Sequence, residues 1–171
     1  MQKKWILLLA ILSITARFTI SLEAPFTKIS EMAPLLVIFT PILPIVLSVF
    51  HTSRNNLKAN FISLIKSGMK GGLSVTLLYI IALFVLFQWV HPFEFEARKE
   101  LIITEQIAQA SEQENFDEAK FQENIGSAFT SFNYITLTLV AMMLLSLLYS
   151  LFASLFARLY SKRYAHLNQE K

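Results

Sequence analysis

Residues 66–90 read KSGMKGGLSVTLLYIIALFVLFQWV, and this stretch indicates both the fold class and the orientation of the chain. From Gly72 to Val90 nearly every residue is apolar, and a helix of about 17–25 such residues crosses the hydrocarbon core of a bilayer. Two lysines and three glycines crowd into the seven residues 66–72. The stretch therefore predicts a transmembrane helix that begins at a basic membrane surface.

The composition of the whole chain agrees with this prediction. Of 171 residues, 54% are hydrophobic and 16% are charged, whereas soluble domains carry about 25% charged residues. The mean hydropathy is +0.51, and a soluble fold of this size leaves too much surface exposed to hide so many apolar side chains. The absence of cysteine excludes disulfides, thiol catalysis and Cys-ligated metals.

Apolar blocks of the required length recur four times, so we expect an all-α, integral membrane four-helix bundle that forms a single domain over 1–171. The first block also has the basic start and short apolar core of a signal peptide, with a possible cleavage site after Ala16. Ile14 fits that site poorly, which favours a retained span, although cleavage of residues 1–16 stays open. The predicted spans are about 5–22, 34–50, 72–90 and 132–157.

Lysine and arginine are distributed unevenly between the connections. Ten lie before the first block, between the second and third, or after the fourth, and four lie in the other two connections. Because positive charge stays in the cytoplasm, both termini are predicted to be cytoplasmic, and the connections 23–33 and 91–131 are predicted to be extracytoplasmic. Helical spans with this bias are typical of a bacterial inner membrane. The basic residues form no single basic domain, which argues against nucleic acid as a partner.

Residues 59–70 have the pattern of an interfacial amphipathic helix at the cytoplasmic surface. Lys66 and Lys70 share one face of it, and there they would contact anionic lipid headgroups. Gly71 and Gly72 would bend the chain into the bilayer. Gly68 and Gly72 also form a small-xxx-small pair for helix packing, but a bend is the favoured interpretation.

The segment 92–131 is predicted to form two acidic helices. Nine acids and three bases lie between residues 91 and 131, with no Gly or Pro from Phe93 to Ile125. The first helix would start at Pro92 and end near Ala110, and the second would be capped by Asn115. The acids lack the spacing of a calcium loop, so we expect them to be solvated and predict no metal or cofactor.

Arg17 is the one formal charge inside a predicted span, which makes it a candidate functional residue. As a structural residue it would snorkel toward water or pair with Glu23 or Glu31. Pro41 and Pro44 are expected to kink the second span. Broken helices also occur at transporter sites, so these two prolines join Arg17 as candidates.

The fourth block carries Ser146, Ser150 and Ser154 at intervals of four. This small-residue stripe favours packing inside the bundle, with a homodimer seam as the alternative. It has no histidine, acid or nucleophile elbow beside it, and the chain has no HExxH, P-loop or dinucleotide fingerprint. We therefore expect no enzyme activity.

The run NNLKANFISLIKSGMKGGLSVTLLYIIALFVLFQWVHPFEFEARKE resembles the middle of an uncharacterised family of small four-span bacterial membrane proteins, domain-of-unknown-function family 4199. The features that carry the resemblance are Phe61, Lys66 and Gly68 before the third span, then Trp89 to Pro92 and an acidic helical segment. In this chain Phe93, not an acid, follows the boundary proline. The resemblance implies a topology and no known activity.

Three functions stay open at this point. The leading one is an accessory or structural membrane protein that acts through contacts with a membrane-protein partner or a second copy. The alternative is a small transporter or channel subunit that uses Arg17 and the Pro41/Pro44 region, for which a cavity lined by Arg17, Thr40, Tyr79 and Gln88 would argue. The third is a lipid-directed enzyme with His91 beside Glu94 or Glu96.

Overall fold

In a computed structural model the chain is all-α, as the sequence predicts. The structure describes residues 2–23, 26–56, 59–110, 117–128 and 130–169, and no strand occurs in these ranges. Its elements, in chain order, are α1 (Gln2–Glu23), α2 (Phe26–Phe39), α3 (Ile42–Asn55), α4 (Phe61–Val85), a π-helical segment (Leu86–Val90), α5 (Pro92–Ala110), α6 (Glu118–Ala128) and α7 (Ser131–Gln169).

Four stretches of helix are long and apolar enough to cross a membrane. They are Lys4–Leu22, Met32–Asn55, Phe61–Val90 and Ser131–Tyr160, which contain the four blocks predicted from the sequence. Large apolar side chains are exposed on the outward faces of these helices, among them Ile11, Ile81 and Leu144. Such faces would meet acyl chains in a bilayer.

The third of these helices lies at the centre of the bundle, where α4 packs against α1, α3 and α7. Its buried residues recur every three or four positions, which places them on one face of the helix. They are Leu64, Gly68, Gly71, Gly72, Val75, Thr76, Tyr79 and Leu83.

Glycines let α4 approach its neighbours closely. A Cβ atom added at Gly68 would lie 2.7 Å from the Ser150 hydroxyl, and one at Gly72 would lie 2.7 Å from the Ser146 hydroxyl. On the α3 side, a Cβ at Gly71 would overlap the Ser48 hydroxyl and would lie 2.8 Å from the Pro44 carbonyl oxygen. These distances leave no room for a side chain, so the three glycines serve packing between helices.

The prediction of a separate interfacial helix at 59–70, with a bend at Gly71 and Gly72, is wrong. One continuous helix runs from Phe61 to Val85, and both glycines are buried inside it. Glycine costs a helix about 1 kcal/mol relative to alanine, and the packing of α3 and α7 on the glycine face outweighs that cost. Lys66 and Lys70 consequently belong to the first three turns of a spanning helix.

The second span is interrupted at Thr40 and Pro41, as the prolines predict. The helix α2 ends at Phe39, a turn follows at Thr40 and Pro41, and α3 begins at Ile42. Pro41 precedes α3 as its N-cap residue, and Pro44 lies in the first turn, where no helical partner exists for the missing N–H. Pro41 itself keeps α-helical dihedral angles (φ −77°, ψ −17°), so the prolines interrupt the hydrogen bonding between α2 and α3 within one apolar stretch.

The two predicted acidic helices are present. The first, α5, runs from Pro92 to Ala110 as predicted. The second, α6, is capped by Asp117, whose Oδ1 accepts a hydrogen bond of 3.1 Å from the Lys120 amide. The predicted cap, Asn115, lies outside the described residues.

Substitution of Gly71 tests the close approach of α3 and α4. Gly71→Ala should lower the free energy of unfolding by about 1–3 kcal/mol, the usual cost of overpacking, because the Pro44 carbonyl oxygen lies 2.8 Å from the new Cβ. We would measure unfolding by titration with a denaturing detergent in mixed micelles.

The matched control is Gly126→Ala in α6, where the nearest atom to the new Cβ is Lys99 Cε at 3.9 Å. That variant should be neutral or more stable by up to about 1 kcal/mol. Equal effects of the two substitutions would contradict the packing role of Gly71.

Candidate functional site

Arg17 is buried in the bundle. It lies on the face of α1 that meets the other helices, together with Ala10 seven residues before it and Ser21 four residues after it. The exposed fraction of Arg17 is 2%. A cation at such a position needs an anionic partner, because desolvation of an unpaired charge is expensive.

The partner is Glu94, in the first turn of α5. Arg17 Nη2 donates a hydrogen bond to Glu94 Oε1, and the Ser21 hydroxyl donates to Glu94 Oε2. The ion pair has side-chain exposures of 2% and 0% for Arg17 and Glu94. Each carboxylate oxygen thus receives a donor from α1, and we call these three side chains the Arg17–Glu94–Ser21 network.

The end of the third span directs Glu94 to this position. The α-helical pattern of α4 gives way to a π-helical segment at Leu86–Val90, closed by a 2.7 Å hydrogen bond from the His91 amide to the Leu86 carbonyl. A π-helical turn closes its ring over five residues rather than four, and such turns are frequent at functional sites. Pro92 then begins α5, so that Glu94 lies one short turn after the end of the span.

Aromatic side chains surround the network. The Arg17 guanidinium carbon lies 5.8 Å from the centroid of the Phe87 ring, within the range of a cation–π interaction. Phe87 contacts Phe95 and Tyr134, with ring centroids 6.0 and 5.7 Å away. Because Phe87 and Phe95 are themselves buried, the ion pair lies in a surrounding that excludes water.

Two predictions about these residues are corrected. Arg17 was expected to snorkel or to pair with Glu23 or Glu31, but it is buried and paired with Glu94. Glu94 was expected to be one of the solvated acids, but it is 1% exposed. The pairing of Arg17 with Glu94 could not be predicted from local sequence patterns, because the two residues are 77 positions apart. Two features of the sequence could have indicated the pair. Ser21 lies one turn beyond Arg17 on the same face of α1, and Glu94 is the first acid after the third span.

The second terminal nitrogen of the Arg17 guanidinium, Nη1, is the next feature of the network. Arg17 Nη1 is buried and has no hydrogen-bond partner in the part of the chain that the structure describes. The arrangement can therefore hold α5 against α1, and it can in addition offer one donor to an acceptor that enters the bundle.

The other predicted site residues lie elsewhere in the bundle. Pro41 and Pro44 are buried at the break in the second span. Lys66 and Lys70 are exposed on α4, and Lys70 lies 17 residues before Phe87, or about 26 Å along a helix. The candidates therefore do not form one site.

The serine stripe faces the inside of the chain. Ser146, Ser150 and Ser154 each have an exposed fraction of 0%, and the first two lie against the glycines of α4. This surface is used for packing between α4 and α7, so within one folded chain it is not available as a homodimer seam.

The arrangements suggested for a transporter or an enzyme are formed only in part. Thr40 and Tyr79 are buried, whereas Gln88 is exposed and its amide lies 3.2 Å from the Ser131 hydroxyl. Of the acids near His91, Glu94 is bound to α1 and Glu96 is exposed. Among the described residues, no three His, Asp or Glu side chains lie close enough to hold a metal ion.

Comparisons with known proteins do not place the chain in a family. No family model, no curated protein and no solved structure matches the chain. The resemblance to domain-of-unknown-function family 4199 consequently stays a prediction.

Removal of the Glu94 charge tests the network. Glu94→Gln should lower the free energy of unfolding by about 3–5 kcal/mol, since it leaves the Arg17 charge buried without an anion. Glu96→Gln, two residues along and exposed, should change it by less than about 0.5 kcal/mol.

The double variant Arg17→Met/Glu94→Leu should recover most of the lost stability, because it removes both buried charges together. Detergent-denaturant titrations of the natural protein, Arg17→Met, Glu94→Leu and the double variant give the coupling energy as a double-mutant cycle. Additive effects of the single substitutions would show that the pair is not coupled.

Proposed function

We propose that the protein is an accessory or structural membrane protein that holds an acidic helical surface, α5 and α6, at one end of its bundle for recognition by a partner. The observation that carries the proposal is the buried Arg17–Glu94–Ser21 network. It fixes the first turn of α5 to α1, so the acidic surface has a defined position relative to the spans. A surface fixed in this way loses less conformational entropy on binding than a free loop does.

The chemistry of this surface indicates the kind of partner. Exposed acids follow one another along α5 and α6, and they include Glu96, Glu100, Glu105, Asp117 and Glu123. Apart from Glu170, the acids of the chain lie in two stretches of the sequence, between residues 23 and 31 and between residues 94 and 123. Charge complementarity speeds and selects association, so the expected partner carries a basic surface.

The proposed orientation places this acidic end outside the cytoplasm. At the opposite side, Arg54 and Arg158 lie in the last turns of their spans, and Lys66 and Lys70 lie in the first three turns of theirs. Positive charge of this kind is kept in the cytoplasm. Both termini are then cytoplasmic. A bacterial inner membrane is the location that suits helical spans with this bias.

A small transporter or channel subunit is the second candidate function. Two observations favour it. Arg17 Nη1 is buried and has no hydrogen-bond partner among the described residues, and the second span is interrupted at Thr40–Pro41. Thr40 Oγ1 at the break is also buried without a hydrogen-bond partner in the described chain. Polar groups of this type line substrate paths in transporters with broken helices.

Cysteine labelling tests the orientation, and the natural absence of cysteine makes the experiment simple. A single Glu105→Cys variant should react with a membrane-impermeant maleimide in intact cells. An Arg54→Cys variant should react only after the membrane is opened, because Arg54 lies at the opposite end. The reverse pattern would overturn the proposed topology.

Crosslinking tests the recognition role. A photoreactive amino acid placed at exposed position Glu100 should crosslink in cells to one protein in stoichiometric amount, and Glu96→Gln/Glu105→Gln should weaken that crosslink at least threefold. Arg54→Gln is the matched charge control on the other side and should leave it unchanged. A variant that folds normally but yields no specific crosslink would favour the transporter reading, which uptake assays on Arg17→Met would then address.

A further inference from the structure

A groove runs along α4 on the side that faces α1. It encloses about 680 Å³, and its α1 wall is formed by Ile6 and Leu7. Its floor includes Gly71 and the α3 residue Ser48. A volume of this order is typical of sites for small molecules.

The α4 wall of the groove changes in character along its length. The lining residues Ser63, Lys66, Lys70, Ser74 and Leu78 follow a helical spacing on one side of α4. From Ser63 to Leu78 the helix advances about 22 Å. The groove is basic and hydroxyl-rich near the start of α4 and becomes apolar toward Leu78, where it faces a wall of α1 that is also apolar.

The two ammonium groups are the charged groups that this groove offers to a ligand. Three of the four lining serines already donate within the protein: Ser63 to the Asn60 carbonyl at 2.8 Å, Ser67 to the Ser48 carbonyl at 3.0 Å and Ser74 to the Lys70 carbonyl at 2.7 Å. The fourth hydroxyl, that of Ser48, is buried against Gly71 and has no hydrogen-bond partner among the described residues. Lys66 and Lys70, by contrast, have no ion-pair partner among the described residues. They lie four positions apart, so both can reach one anion.

We propose that this groove binds one anionic phospholipid. Lys66 and Lys70 bind the phosphate of the headgroup, and an acyl chain lies against Ile6, Leu7 and Leu78. The occupant follows from charge complementarity and from position, since the basic part lies at the end of a spanning helix, where headgroups meet the bilayer surface. This inference does not depend on the proposed recognition role of α5 and α6.

A bound lipid would also explain the space between the first half of α1 and α4 at this groove. The first half of α1 exposes Leu7, Leu8, Ile11 and Leu12. Its buried residues are Ala10, Arg17 and Ser21, and two of these three lie in the second half of the helix. An acyl chain between Leu7 and Leu78 supplies apolar contact that the protein itself does not make at this place.

Native mass spectrometry in a neutral detergent tests the proposal, with phosphatidylglycerol and phosphatidylcholine as probes. The natural protein should hold one phosphatidylglycerol at least tenfold more tightly than phosphatidylcholine. Lys66→Gln/Lys70→Gln should weaken phosphatidylglycerol binding about 30-fold, since each basic residue near an anionic headgroup contributes about one factor of five. Arg54→Gln, an exposed basic residue on α3 outside the groove, should bind as the natural protein does.

A second variant separates the groove from the charges. Ser74→Phe keeps both lysines and fills the groove, so it should also reduce phosphatidylglycerol binding, while thermal unfolding verifies that the variant is folded. Equal binding of the two lipids, or binding that survives both sets of substitutions, would overturn the proposal. A second protein copy in place of lipid, seen as a dimer that Ser74→Phe abolishes, would overturn it as well.

Discussion

A guanidinium cannot lie inside an apolar helix bundle without an anionic partner, and much of the architecture at one end of this protein follows from that constraint. Arg17 is on α1 and its partner Glu94 is on α5, so the pair joins the first span to the segment after the third. Ser21 and the Phe87 ring complete the surroundings of the two charges. The cost of desolvation makes each partner dependent on the other, which fixes the start of α5 on the bundle.

The remainder of the bundle depends on close packing rather than on charge. The glycine face of α4 lets α3 and α7 approach until serine hydroxyls meet its backbone. In a bilayer, helices gain little from the hydrophobic effect between themselves, so van der Waals contact of this kind carries their association. The bundle therefore accommodates residues that usually weaken helices. The helix α3 begins at the prolines of the second span, and α4 runs through its glycines without a bend.

These two regions give the ends of the molecule different chemistry. At one end, the fixed start of α5 leads into a row of exposed acids. At the other, the ammonium groups of Lys66 and Lys70 line a groove whose walls become apolar toward Leu78. The proposed partner and the proposed lipid therefore act on separate surfaces, joined by the length of α4. Arg17 belongs to the first of these ends, and its Nη1 is buried with no hydrogen-bond partner among the described residues. That nitrogen is an observation in favour of the second candidate function, a transporter or channel subunit.

The sequence by itself determined the four apolar helices, the all-α fold and the acidic helix that starts at Pro92, because length, hydropathy and helix-start signals are local properties. It also singled out Arg17, since a charge in an apolar run is visible without a structure. Only the tertiary structure decided what that charge contacts, that Glu94 is buried, and that Gly71 and Gly72 pack instead of bending the chain. Those outcomes depend on residues far apart in the chain, and the same local pattern of glycines or acids is compatible with either role until the neighbouring helices are in place.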